Sequence, residues 1–354
     1  MRVTLADIAK ACETSLSTVS RALSDPDKVN PQTRERIQRV AREMGYMTNP
    51  IARALAVGRT GVIGLIVPDI ANPFFPPIIK AVQARAGRKD TAVLLADTDE
   101  HAADELERAR VLSKQVDGLI MVSPRTPEDR LAEFVQLAPV VFVNRQVEGA
   151  PSIIIDNSDG ITQAVQHLVA LGHRRICYLN GPRRSWSNDR RRAALKEACA
   201  KYSVELIELG PFEPQVQAGV HAADLVQASG ATGVIAYDDQ IALGLMARLA
   251  EHRLQVGRDI SVIGIDDSPM SDVAYPTLTS IHVPGAEAGA VAVDILLAQL
   301  DADDADPAPV VQLETRLVIR GSTGPAPAQR LVTTESIGPL LGGESPSRAT
   351  RRTD

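Results

Sequence analysis

The chain has 354 residues, 44% of them hydrophobic and 23% charged, with a formal net charge of −6 at pH 7. This composition is globular and excludes disordered, collagen-like and coiled-coil classes, while the length points to two or three ordinary domains. No run of about eighteen apolar residues is present to span a bilayer, the opening MRVTLADIAKACETS lacks the apolar core of a secretory signal, and three scattered cysteines (Cys12, Cys177, Cys199) suit a reducing cytosol better than a disulfide or zinc framework.

Resolved by segment, the charge divides. Residues 1–60 hold ten Lys/Arg and six Asp/Glu, a net of +4, which leaves the remainder with 28 and 38, a net of −10. A small basic head on a large acidic body is a cue for a nucleic-acid-binding module attached to something else.

In chain order, residues 4–45 read as three short helices. Thr4 and Asp7 form a capping pair, with Leu5, Ile8 and Ala9 apolar behind them. Ser15 caps a second helix, Leu16 to Leu23, with Val19 and Leu23 inward. Asn30-Pro31 opens a third, carrying Ile37, Val40, Ala41 and Met44, and Gly45 ends it. The first two helices with their tight connection form a helix-turn-helix, whose second helix enters the major groove. Its exposed face offers Leu16, Ser17, Ser20 and Arg21, and Arg21 suits a bidentate contact to guanine. Thr4, Ser15, Thr18 and Asn30 suit phosphate contacts. Residues 49–57, NPIARALAV, are a very short helical candidate capped by Asn49, and Gly58 and Gly61 bracket a break.

From Val62 the pattern changes. The runs VIGLIV (62–67), AVLLA (92–96), GLIMV (118–122), VVFV (140–143), SIII (152–155), RICYL (175–179), VELIEL (204–209), TGVIAY (232–237) and SVIGI (261–265) alternate with helical stretches. Continuous apolar strands between helices mean βαβ units and parallel sheets, and the length of this body points to two doubly wound lobes. Residues 322–354, rich in Pro, Gly, Ser, Thr and Arg, read as a disordered tail without a leucine heptad.

The string TLADIAKACETSLSTVSRALSD, followed by GYMTNPIARAL and GLIVPDIANPFF, resembles the LacI/GalR family of transcriptional regulators, and the resemblance runs from residue 3 to about 320. It implies an α/β protein: a helix-turn-helix head (1–48), a hinge helix and linker (49–60), and a periplasmic-binding-protein-like core of two doubly wound parallel-sheet lobes. The first lobe would comprise 61–157 and 284–313, the second 158–283 and 314–321. By the same resemblance, Leu16, Ser17 and Arg21 read bases, and Leu55 wedges into the minor groove at the operator centre, where unstacking is repaid by wider contact. Ala52 and Ala56 are small enough for a partner hinge to pack closely. A segment this short does not hold a helix alone in water, so the hinge is expected to fold on DNA. Cys12-Glu13-Thr14 stands where the family commonly has Ala-Gly-Val, so the turn lacks its usual glycine.

Two such lobes create a cleft at the C-terminal ends of their strands. Polar and aromatic residues just after apolar runs are its candidates: Asn72 to Phe75, Ser123, Asn144-Arg145, Ser185 to Arg191, Phe212, Tyr237-Asp238 and Asp266-Asp267. Asp266 suits hydroxyl donors, Arg191 a fork to ring oxygens, and Trp186, Phe74 and Phe212 stacking on a sugar. The resemblance assigns effector contacts to Phe74, Phe75, Asn144, Arg191, Phe212, Asp238 and Asp266; Asp238 replaces the common Asn. Phe75 reads equally as core, Asp267 as a cap, and Arg190 and Arg192 as solvated helix faces. A neutral sugar is the first choice of effector, a sugar acid or phosphate the second, a purine the third; Arg125, Arg145, Arg183 and Arg184 favour an anion and Asp238 opposes one.

An enzyme is disfavoured: GxxxxGK[ST], HExxH and GxSxG are absent, and the six histidines show no metal spacing. His167, His173 and His252 read as surface residues. No cofactor or metal is expected. A solute-binding protein fits the core but not the basic head, and a protein partner in place of a small molecule is a third reading. The expected assembly is a homodimer on a pseudo-palindromic DNA operator, with helices Ala286–Leu300 and Pro76–Ala86 as pairing candidates. Leu55→Ala is expected to weaken specific operator binding strongly and nonspecific binding little, as measured by titration against operator and random duplexes; equal losses would count against the wedge.

Overall fold

The computed structural model describes residues 3–24, 28–46, 58–302 and 308–327. The head is α1 (Leu5–Ala11), α2 (Leu16–Ser24) and α3 (Pro31–Glu43). Thr4 closes a reciprocal capping box with Asp7, the Ser15 hydroxyl accepts the Thr18 N–H at 3.1 Å, and Asn30 caps α3 ahead of Pro31, so each helix start has an N–H group held by a local side-chain acceptor. Ile8, Ala9, Cys12, Val19, Ala22, Ile37 and Ala41 form its core. Glu13 sits at φ 45°, the left-handed region, in the position where a glycine is common; a non-glycine residue there costs about 1 kcal/mol.

The body contains β1 (Val62–Val67), α4 (Phe75–Gly87), β2 (Ala92–Asp97), α5 (Ala102–Leu112), β3 (Gly118–Val122), α6 (Ala132–Leu137), β4 (Val140–Val143), β5 (Ser152–Asp156), α7 (Ser158–Ala170), β6 (Arg175–Leu179), α8 (Trp186–Lys201), β7 (Glu205–Leu209), α9 (Val216–Ser229), β8 (Gly233–Ala236), α10 (Asp239–Glu251), β9 (Ser261–Asp266), α11 (Pro269–Val273), β10 (Thr279–His282), α12 (Gly285–Asp301), β11 (Val310–Glu314) and β12 (Arg316–Val318). Two six-stranded sheets result, in the orders β11-β5-β4-β3-β1-β2 and β12-β10-β9-β8-β6-β7. All described pairings are parallel except β12 against β10. Strands β10, β11 and β12 are additional to the nine apolar runs. β10 (TSIH) has three polar residues of four, β11 is an edge strand of alternating exposure, and β12 has three residues, so none presents a continuous apolar signal.

The chain crosses between sheets three times: β5 into α7, β10 into α12, and β11 into β12. Gly160, in the first turn of α7, lies where these crossings converge. A Cβ there would stand 2.5 Å from Ile281 and 2.6 Å from the Thr315 hydroxyl, so glycine is needed for the close approach. The switch points of strand order fall at β1/β3 in one sheet and β6/β8 in the other, where crevices open at the carboxyl ends of the strands.

Two expectations are corrected. Residues 322–327 are not a loose tail. Ser322 is buried and donates from its hydroxyl to the Val262 carbonyl, and the Ala326 N–H donates to the Leu171 carbonyl at 2.8 Å; residues 328–354 lie outside the described ones. His173 is not on the surface but completely buried. Its Nδ1 is 2.8 Å from the Thr232 hydroxyl, and its Nε2 is 3.1 Å from the Gly324 carbonyl and 3.0 Å from the Ser261 hydroxyl. One neutral tautomer serves both sides, Nε2–H donating to Gly324 and Nδ1 accepting from Thr232, and burial holds its pKa down. His167 is half-buried against the Thr323 hydroxyl. Sequence periodicity misses this because the segment that covers both histidines arrives from about 150 residues downstream. His173→Ala, which removes the ring's hydrogen bonds to Thr232, Ser261 and Gly324 and leaves a cavity at a fully buried position, is expected to cost about 2–3 kcal/mol in urea unfolding and to expose residues 322–327 to protease; unchanged stability would contradict the clasp.

Candidate functional site

On the head, Leu16 is 53% exposed although apolar, and Ser17 and Arg21 are exposed beside it. The same helix buries Val19 and Ala22, so its apolar stripe is spent on α1 and α3, and Leu16 stands outside that stripe. Thr4, Ser15 and Asn30 are exposed at helix starts, and Thr18 and Ser20 are half-buried. The Ser15, Ser17 and Thr18 hydroxyls cluster within 2.8 Å of one another through Ser15, which concentrates hydroxyls at the N-terminus of α2, where a phosphate is favoured. Asn49, Ala52 and Leu55 lie outside the described residues.

A pocket between the lobes is built from the strand exits of both sheets. After β1, Asn72 turns the chain by accepting the Phe74 N–H, and Phe74 meets Phe75 edge to face, centroids 5.0 Å apart. Phe75 is both core and pocket wall. Ser123 after β3 and Asn144 after β4 are held at φ 46° and 57°, and the Asn144 amide donates to the Ser123 hydroxyl at 2.9 Å. From the second lobe come Ser187 and Arg191 of α8, Tyr237-Asp238 after β8, and Asp266 after β9.

Trp186 and Phe212 do not line this pocket. On α8 the inward face carries Ser187 and Arg191. Trp186 and Arg190, one residue earlier in each turn, pair with each other, the guanidinium 5.7 Å from the ring centroid. Phe212 packs on the second-lobe core over Gly210. The aromatic walls are Phe74, Phe75 and Tyr237 instead. Tyr237, Asn72 and Ser187, which the sequence places among the residues after apolar runs, line the pocket. Glu100, Glu105 and Asp239 carry no sequence signal, because they act on residues distant in the chain.

The cations are largely spent inside the protein. Arg125 is clamped by Glu100 with bonds of 2.5 and 2.9 Å. Arg191 donates to the Tyr237 carbonyl at 2.6 Å and to Asn157 at 3.3 Å, lies 3.6 Å from Asp266, and rests 4.8 Å over the Tyr237 ring. Arg183 and Arg184 are exposed, and Arg145 is buried with Glu128 3.8 Å away and its Nε without a hydrogen-bond partner. By contrast, the buried acceptors Asn144 Oδ1 and Asp238 Oδ2 have no hydrogen-bond partner, a state that favours donors arriving with a ligand.

Beneath the pocket, Asp239 uses both carboxylate oxygens. One accepts from Ser280; the other accepts the Ser268 N–H at 2.7 Å and the Ser271 hydroxyl at 2.8 Å. Ser280 in turn accepts the Asp267 N–H. This grip holds the turn in which Asp266 and Asp267 take φ values of 116° and 56°, strain of about 1–3 kcal/mol per residue. A Cβ on Gly264 would stand 2.1 Å from the Asp239 carboxylate, so β9 leaves room for it. Burial raises Asp266 well above its ordinary value and pushes Asp238 up to about 7.

Among the described residues, no group of His, Cys, Asp and Glu has metal-site geometry, and no helix is long and apolar enough to cross a membrane. Residues 4–49 match bacterial regulatory proteins of the lacI family, and residues 165–323 match a periplasmic binding protein-like domain. The chain is 32% identical over 335 residues to the HTH-type transcriptional repressor CytR of Escherichia coli, covering 92% of this chain and 97% of that one. Its fold is similar to that of a lac repressor dimer bound to operator and the anti-inducer ONPF, at TM-score 0.81, 28% identity and coverage of 92% and 100%. It is also similar to a LacI family regulator from Enterococcus faecium with bound ribose, at TM-score 0.67, 27% identity and coverage of 75% and 100%.

Asp238 has a folded pKa of about 7 against an ordinary 3.8, so between these values the folded chain holds a proton that the unfolded chain releases. Its contribution to stability is complete below about pH 4 and lost as pH rises through about 7. Asp238→Asn is expected to shrink the fall in melting temperature between about pH 5 and pH 8; a fall of unchanged size would show that another group carries it.

Proposed function

The chain belongs to the lacI family of bacterial regulatory proteins, and on that premise we propose that it is a homodimeric repressor whose hold on a pseudo-palindromic operator is set by a neutral polyhydroxylated effector, foremost a sugar, bound between the lobes. It is a DNA-binding transcriptional regulator, and it acts in the cytosol, where the DNA is. A regulatory role, not an enzymatic one, is the reading its relatives support, since they are transcriptional regulators. The observation that carries the effector reading is the pairing pattern. Arg125 and Arg191 are paired with Glu100 and Asp266, which disfavours a sugar acid or phosphate, while the buried oxygens Asn144 Oδ1, an acceptor, and Asp238 Oδ2, a donor when it carries the proton, suit hydroxyl groups, which both donate and accept. The ribose-bound relative supports the same class.

Leu16, Ser17, Ser20 and Arg21 would face base edges, with Thr4, Ser15, Thr18 and Asn30 on phosphates. Effector binding across the two lobes acts on DNA affinity only through its preference for one lobe arrangement. The dimer reading shifts surface. α4 and α12 pack so closely against each other that a Cβ on Gly289 would stand 2.7 Å from the Ile78 carbonyl, and their apolar faces are spent internally. Exposed apolar side chains include Met270, Val273 and Tyr275, the last 99% exposed, and Leu94 and Leu95 of edge strand β2. These suit a second copy of the chain.

A melting-temperature screen against neutral sugars, sugar phosphates and purines tests the effector, since a ligand at 100 times its Kd adds about 2.7 kcal/mol; stabilisation by phosphates alone would overturn the neutral class. Tyr275→Asp is expected to shift the protein to monomer in sedimentation at micromolar concentration and to weaken operator binding. A dimer of undiminished stability would place the interface elsewhere.

A further inference from the structure

Residues 58–61, Gly-Arg-Thr-Gly, lead the chain from the DNA-binding segment into the first lobe. Gly58 and Gly61 sit at φ 75° and 69°, and glycine leaves the backbone its widest choice of conformations. Side chains of the lobe remove that choice. Asp117, just before β3, accepts the Thr60 N–H at 2.6 Å and the Thr60 hydroxyl at 2.8 Å on one oxygen, and the Gly61 N–H at 2.8 Å on the other. The Gly61 carbonyl accepts the Ala92 N–H at 2.9 Å, and the Asp117 N–H donates to the Val62 carbonyl at 2.7 Å, so the carboxylate is itself tied to the strand that follows the linker. Arg59 is held elsewhere. Its guanidinium donates to the Asp301 carboxylate and to the Leu300 carbonyl at the end of α12, where unpaired carbonyls and the helix dipole favour a cation.

This anchor is rigid. α12 has 17 residues, about 25 Å of helix, and starts where the chain crosses back from the second lobe. Gly285 and Gly289 seat it so closely on α4 that Cβ atoms there would stand 3.1 Å from the Ile78 side chain and 2.7 Å from the Ile78 carbonyl. An exposed ion pair such as Arg59–Asp301 adds little stability, so its effect is directional. We propose that Arg59 and Asp117 are positioning residues for DNA: by fastening residues 59–61 to the end of α12 and the start of β3, they fix the direction in which the DNA-binding segment leaves the lobe, and so set the half-site spacing that a dimer accepts. This rests on the reading of the chain as a dimer that holds two half-sites. One base pair added at the operator centre moves the half-sites apart by about 3.4 Å and turns one against the other by about 35°. A fastened linker passes that mismatch to the DNA as strain, whereas a linker that swivels on two glycines absorbs it.

The test selects an operator for the full-length protein from a pool of random duplexes, then compares its Kd with those of duplexes that keep both half-sites but gain or lose one central base pair. The unmodified protein is expected to bind the altered spacings about tenfold or more weaker. Arg59→Gln, Asp301→Ala and Asp117→Asn are each expected to lower that ratio about threefold, with the melting temperature reporting that each variant is folded. The ratio separates fastening from plain electrostatics, because loss of a phosphate contact, or of an acid near the DNA, changes the affinity for every spacing together. A ratio unchanged in any of the three folded variants overturns the proposal, as does an unmodified protein that binds all spacings alike; both leave the operator reading in place. A pool that yields no enriched duplex removes the operator reading and the spacing proposal with it.

Discussion

One buried guanidinium ties the interlobe site together. Arg191 reaches Asn157 at a chain crossing, the Tyr237 carbonyl at the exit of β8, and Asp266 at the exit of β9. A buried charge pair is a weak source of net stability, because desolvation offsets most of the attraction, yet removing one member leaves the other uncompensated. Its value here is geometric. Three strand exits that come from separate βαβ units are held to one centre, so a ligand that disturbs Asp266 or Asp238 also acts on the segment that passes from one lobe to the other.

The turn at Asp266 is affordable only because a second carboxylate lies under it. Asp239 accepts from Ser268, Ser271 and Ser280, and together these bonds hold two consecutive non-glycine residues at positive φ. The cluster of Asp238, Asp239 and Asp266 is crowded and dry. Burial, with mutual repulsion added to it, keeps Asp238 and Asp266 protonated to higher pH than free aspartate. An aspartate at position 238 that carries its proton offers a donor and an acceptor, as an asparagine amide does, which accounts physically for an acid standing where the family commonly has Asn.

Charge acts at longer range as well. The head's net of +4 attracts phosphate, and the remainder's −10 is repelled by it, which keeps the acidic body off the duplex and limits nonspecific contact. Overall net charge therefore misleads for a protein whose two functions sit on separate segments.

Much of the architecture was legible because it is written in local periodicity. Thr4, Ser15 and Asn30 announce three helix starts, and nine apolar runs announce nine parallel strands, since most of these are buried on both faces, the edge strands β2 and β7 less so. The polar β10, alternating β11 and three-residue β12 left no such trace. The site was legible only in part. Position after a strand marks Phe74, Ser123, Asn144, Asp238 and Asp266, because any residue there lies at the sheet's carboxyl edge. Whether a side chain then faces the pocket depends on helix phase and on neighbours: Trp186 and Phe212 turn away, Glu100 and Asp239 turn out to support the site, and His173 is buried by a segment about 150 residues downstream. Sequence by itself determined the segment order, the charge partition and the strand exits, all set by nearest-neighbour chemistry. Tertiary structure alone decided which exits meet, which cations are already paired, and what fastens the linker to the lobe, because those are facts about contacts between residues far apart in the chain.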